Sequence, residues 1–189
     1  LTIPGLIHNY QRTLLKQQFK SQYSKLLNAM RSIQAQEGYI PACTCWNTEC
    51  HKFWKLLRQN IKMAQVCDGH ELEKGCLPAD YHGIEYANMS DDVRNNLDRN
   101  FPSYKTNSIL NNNSVYITLD GAAIILYYPD LNIFLLDVNG KNRPNKWGWD
   151  IFSLKIETGN LKIASSGGLD YIEDGGYSAS YMIKHINEK

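Results

Sequence analysis

Residues 1–38, LTIPGLIHNYQRTLLKQQFKSQYSKLLNAMRSIQAQEG, place apolar side chains at Leu6, Ile7, Tyr10, Leu14, Leu15, Phe19, Tyr23, Leu26, Leu27, Met30 and Ile33. Most of these are three or four apart, the step that keeps residues on one face of an α-helix. Between them stand Gln11, Arg12, Lys16, Gln17, Gln18, Lys20, Ser21, Gln22 and Lys25, which read as a solvated face. No proline or glycine interrupts from Leu6 to Glu37, and Gly38 followed by Pro41 is a stop signal. A helix of roughly 30 to 35 residues is about 50 Å long. That exceeds the diameter of a small domain, so the first part, Leu1 to about Gln17, is expected to project. Phe19, Tyr23, Leu26, Leu27, Met30 and Ile33 are expected to pack under the rest.

Downstream the period changes. Residues 51–66 read as a second helix, with Phe53, Trp54, Leu57, Ile61 and Ala64 at helical spacing and Trp54 as core. Residues 77–114 carry no clear period beyond Ser90-Asp91-Asp92, which can cap a short helix through Leu97. Residues 115–119 and 122–128 are β-rich runs around Asp120-Gly121, a hairpin signal. Residues 133–138 form a third strand. A second hairpin joins 151–156 to 161–164 around Thr158-Gly159-Asn160. Short connections imply an antiparallel meander, with one face buried against the long helix. Residues 165–176 are glycine-rich and loop-like, and 177–187 close the chain as a short helix or an edge strand.

With 189 residues and 43% hydrophobic side chains, the chain suits one domain with a real core. Twenty basic and 19 acidic residues leave a formal charge of +1, with no basic excess for phosphate backbones. Generic nucleic-acid binding is therefore not favoured. No run of 18 apolar residues offers a membrane span. Cys43, Cys45, Cys50, Cys67 and Cys76 crowd into one third of the chain. Cys43, Cys45, Cys50 and His51 form a conceivable zinc set, but without the paired Cys-x-x-Cys knuckles of strong zinc sites. Disulfides in an exported protein are the favoured reading. Cys67 pairs with Cys76 across Asp68, Gly69, His70 and Gly75. Cys50 pairs with Cys43 or Cys45, since neighbours in a Cys-x-Cys are poorly placed to bridge each other.

Enzyme signals are lacking. His8, His51, His70, His82 and His185 are scattered, with no His-Glu-x-x-His, Gly-x-Ser-x-Gly or phosphate-loop pattern. No catalytic residue is expected. Asp137, Asn139 and Asp150 invite a calcium hypothesis, because hard cations want clustered carboxylate and amide oxygens. Loop bracing by the same side chains is favoured over calcium, since Asn-Gly is itself a turn former and Asp bonds nearby backbone N–H groups. No cofactor is expected, with calcium the one candidate. Trp147 and Trp149 beside a turn are the candidate ligand surface for a sugar or peptide.

Two stretches carry a family resemblance. Leu1-Thr2-Ile3-Pro4-Gly5-Leu6-Ile7-His8-Asn9-Tyr10-Gln11 resembles the middle of the N-terminal helix of type IV pilin-like proteins. Asp137-Val138-Asn139-Gly140, then Pro144-Asn145, Gly148, Asp150 and Phe152, is similar to a motif near the C-terminus of many bacterial pilin-like proteins. This chain departs from the pattern in Trp147 and Trp149 around Gly148 and in its clustered cysteines. The resemblance implies an α+β fold: a long N-terminal amphipathic helix on an antiparallel β-sheet, with a second helix and cysteine-containing loops. Residues 1–38 are then the projecting and packing helix, 39–189 the globular head, and the whole one pilin-like domain. It further implies a structural subunit, pilin or pseudopilin, of a bacterial type IV pilus or type II secretion-like filament. Such a subunit polymerises head-to-tail with other pilin subunits, and an upstream segment anchors it in the inner membrane before assembly at the cell surface. The alternative is a cell-surface adhesin or glycan- or peptide-binding module using Trp147, Trp149 and residues 165–176.

Overall fold

The computed structural model describes residues 3–41, 48–69, 74–78, 80–100, 110, 113–157, 161–167 and 169–187. Helix α1 (Ile3–Glu37) has 35 residues. It stops where glycine allows: Gly38 takes φ +78° and donates its N–H to the Gln34 carbonyl at 2.9 Å. Among the described residues no helix is long and apolar enough to cross a membrane.

Helix α1 divides along its length. Leu15, Phe19, Tyr23, Leu26, Met30 and Ile33 are buried, with Leu27 partly so. Leu6, Ile7, Tyr10 and Leu14 are exposed. The buried half is anchored to the strands below it by more than apolar contact. The Tyr23 hydroxyl donates to the Ile163 carbonyl at 3.0 Å, and the Phe19 and Phe152 rings meet edge to face at 4.8 Å.

Helix α2 (Thr48–Asn60) buries Cys50, Phe53, Trp54 and Leu57. The second helix expected over 51–66 thus ends early, and Met63–Cys67 forms strand β1 instead. Its period continued through Ile61 and Ala64. The open edge of β2 (Val115–Thr118) supplies a ladder that local spacing does not reveal, and Cys67 pairs there with Val115. β3 (Ala123–Tyr128), β4 (Ile133–Asp137), β5 (Ile151–Glu157) and β6 (Lys162–Ser165) follow, each antiparallel to its neighbour in the order β1-β2-β3-β4-β5-β6. The long N-terminal helix on an antiparallel sheet therefore stands as expected. Thr158-Gly159-Asn160 lies outside the described residues.

The sheet is buried on both faces rather than one. Tyr116, Ile124, Leu126, Phe134, Leu136, Phe152 and Leu154 point to α1 and α2. Val115, Ala123, Ile125, Tyr127, Leu135 and Ile151 point the other way, as the two-residue alternation of a strand requires. Covering this second face are Leu77, Tyr81, Trp147 and the one-turn helix α3 (Ile84–Ala87). Near-continuous apolar runs such as Ala123–Tyr128 are the mark of a strand with no wet face. Helix α4 (Asp91–Asn100) follows Ser90, and α5 (Ala179–Lys184) is capped by Ser178, whose Oγ accepts the Tyr181 N–H at 3.0 Å. Of the two forms expected for 177–187, the helix is the one present, over Ala179–Lys184.

The β2–β3 turn is tied to α1. Asp120 accepts from Gln22 Nε2 (2.6 Å), Thr118 Oγ1 (2.7 Å) and Lys25. Partial burial opposes its ionisation, but these donors outweigh it and hold the carboxyl at about 2. Cys67 and Cys76 are joined in a disulfide with Cα atoms 6.5 Å apart. Cys50 is also disulfide-bonded, and its partner lies outside the described residues, as do Cys43 and Cys45. Having no thiol proton, Cys50 Sγ merely touches the Pro129 carbonyl at 3.2 Å.

Candidate functional site

The residues singled out in the sequence converge where the loop after β4 meets the first half of α1. Asp137 ends β4 with its side chain fully buried. Its Oδ1 accepts the N–H groups of Asn139 (3.0 Å) and Gly140 (2.7 Å), and its Oδ2 accepts the Tyr81 hydroxyl. Asp150, equally buried, accepts the N–H groups of Asn145 (2.8 Å) and Lys146 (2.7 Å). Burial, and then the nearby Asp150 charge, push the Asp137 carboxyl well above the usual range. Burial raises Asp150 to about 6 against the pull of its backbone donors. Gly140 makes the turn possible: at φ +61° it lies so close to the β2–β3 turn that a Cβ would sit 2.0 Å from the Gly121 carbonyl oxygen.

Asp137, Asn139 and Asp150 are therefore brought together, but as a brace. Every carboxylate oxygen of the pair accepts from a proton donor of the protein itself, the arrangement of a loop brace. The side-chain oxygens of Asn139 and Asn145 are buried without a hydrogen-bond partner, two neutral ligands at most. Among the described residues no group of three or more His, Cys, Asp or Glu side chains could hold a metal ion.

Trp147 is not a ligand surface. It is fully buried, donates from Nε1 to the His82 carbonyl (3.2 Å), and packs against Tyr127 and Tyr171 on the second core face. Its bridge to Ile151 turns it inward while Trp149, two residues on, stays half-buried. Residues 169–176 are correspondingly fastened. Trp147 N–H donates to Glu173 Oε2 (2.7 Å), Glu173 N–H to the Trp147 carbonyl (2.9 Å), and Tyr177 N–H to the Gly148 carbonyl (2.7 Å). Burial works against the Glu173 carboxylate, but the His82 ring and the Trp147 N–H hold it below its usual range.

What sequence reasoning missed is a ladder of cations and rings along α1. Trp149 donates to the Asp174 carbonyl (3.0 Å) and meets the His8 ring at 5.3 Å. The Arg12 guanidinium lies 5.2 Å from Trp149 and 4.4 Å from Tyr177, and donates to the Gly175 carbonyl. Lys16 lies 4.7 Å over Tyr177. Tyr177, Tyr181 and His185 stack in turn at 4.6 and 4.0 Å. Arg12 and Lys16 read as solvated face in the sequence, and their partners are some 160 residues away. Contact with the head thus begins on this side of α1 at His8, nearer the start than expected.

The opposite side of the same helical half is left apolar. Leu6, Ile7, Tyr10 and Leu14 are 51%, 53%, 70% and 42% exposed and fall at helical spacing. This face runs into a cavity of about 400 Å³ bounded by Leu14, Gln18, Asn139, Asn142 and Trp149. Compared with protein-family models, curated proteins and solved structures, the chain matches none.

Proposed function

We propose that this chain is the head-bearing part of a pilin-like structural subunit, pilin or pseudopilin, which acts by polymerising through α1. The observation that carries the reading is the division of α1. Half of the helix serves the head's core, while the other half is clamped in direction by Arg12 and Lys16 yet keeps Leu6, Ile7, Tyr10 and Leu14 uncovered. A row of apolar side chains on a rigid, oriented helix suits contact with another subunit. A contact between different surfaces of identical subunits builds an open filament when its rotation does not close into a ring. On this reading the protein is not an enzyme, needs no cofactor, and works at a bacterial cell surface, anchored in the inner membrane by an upstream segment before assembly.

A second reading, a glycan- or peptide-binding module, is favoured by one feature only. Half-buried Trp149 borders the amide-lined cavity beside Asn139 and Asn142. Immunogold microscopy of source cells, with antibody raised against this chain, tests the first reading. Labelled filaments that shear from the cells are expected. Label confined to the cytoplasm would sink it.

A further inference from the structure

We infer that the cavity between α2 and the start of β2 binds a small molecule carrying a phosphate- or sulfate-type oxyanion on an apolar body. The cavity measures about 320 Å³, within the range of small-molecule sites. One wall is the His51, Lys55 and Arg58 face of α2, at steps of four and three that put all three side chains on one side of the helix. Among the described residues neither Lys55 nor Arg58 meets a carboxylate, although the chain is otherwise close to charge balance. The Arg58 guanidinium rests 5.8 Å from the Tyr116 ring centroid, which leaves its N–H edge for a ligand.

In a lining that is otherwise mostly polar, Trp54 and Tyr116 each expose a small aromatic patch at the floor of the cavity. Tyr116 keeps its proton, because burial, helped by Asp68 and opposed by Arg58, raises its hydroxyl above the ordinary value. Asp68 stands at the rim and takes the Ser114 hydroxyl proton (2.6 Å). Among the described residues two cations therefore face a single carboxylate, which leaves a positive balance there. A planar guanidinium beside an ammonium is the side-chain pair that oxyanions of phosphorus and sulfur match best. The aromatic floor rewards a ligand with an apolar or ring-bearing body over a bare ion. This site is separate from the exposed face of α1, so it stands or falls independently of filament assembly.

The test is an amide-resolved NMR titration of the chain with phenyl phosphate, inorganic phosphate and phenol, at low and high salt. Saturable shifts confined to residues 51–58 and 113–116 are expected with phenyl phosphate. Binding should be about tenfold weaker for inorganic phosphate, negligible for phenol, and weakened by salt. Lys55→Gln, at an exposed position, and Arg58→Gln should each weaken phenyl phosphate binding about tenfold at unchanged melting temperature. Non-saturating or scattered shifts would overturn the inference. So would equal affinity of the two variants and the unaltered chain.

Discussion

Replacing Asp137 by Asn probes the brace that holds the loop against the sheet. The amide oxygen of Asn can still accept the Asn139 and Gly140 N–H groups, and its NH2 can donate to the Tyr81 oxygen in place of the present bond. The substitution therefore copies the protonated carboxyl that burial and the Asp150 charge already favour. Because both folded carboxyls lie above 3.8, the folded protein holds protons that the unfolded chain has released. The contribution of these two carboxyls is fullest below pH 3.8 and falls as pH rises, by about 1.4 kcal/mol per pH unit for each proton so held. Asp150 contributes until its own value of about 6, roughly 3 kcal/mol in all. Asp137, raised by burial and then by the Asp150 charge, contributes in the same direction. In Asp137→Asn only the Asp150 part survives. Asp120, whose carboxyl is held at about 2, gives the opposite slope below pH 3.8, but equally in both proteins. Urea unfolding from pH 4 to 8 should show the unaltered chain losing stability faster than the variant as pH rises, by at most about 1.4 kcal/mol per pH unit while Asp137 holds its proton. Parallel curves, or a variant less stable at every pH, would mean Asp137 is ionised in the fold and the reasoning is wrong.

Three further outcomes follow from packing and backbone geometry. Leu26→Ala, in the buried half of α1, should cost about 2 to 5 kcal/mol, while Leu6→Ala should change thermal stability of the chain by less than about 0.5 kcal/mol. Gly140→Ala should cost more than about 2 kcal/mol, since it adds a clash with the Gly121 backbone to an unfavourable φ. Cys67→Ser with Cys76→Ser should lower stability by about 2 to 3 kcal/mol in denaturant unfolding, the loop entropy a bridge of that span removes.

The parts of the fold legible in the sequence are those whose signal is local. The period of α1, the stop at Gly38 and the turn at Asp120-Gly121 are written within a few residues of where they act. Strand β1 was hidden because Ile61 and Ala64 prolong the spacing of α2. Only the edge of β2, about 50 residues later, pulls Met63–Cys67 into the sheet. Trp147 and Trp149 are two residues apart and look equivalent, yet one is core and the other borders solvent. Strand pairing with Ile151 and the Glu173 bonds decide which. Tyr81, which completes the Asp137 brace, sits in a stretch with no period. The cation ladder on α1 was invisible because Arg12 and Lys16 are ordinary solvated residues until Tyr177 and Tyr181 are brought beside them.

The claim at the centre is that the uncovered half of α1 meets another copy of this chain. A photo-crosslinking amino acid at Tyr10, the most exposed of the four apolar positions, in the protein as its source cells make it, measures that contact directly. Irradiation should give a ladder of dimers and higher multimers reacting with antibody to this chain, lost when Leu6→Asp is added. Monomer alone, or crosslinks only to other proteins, would contradict it.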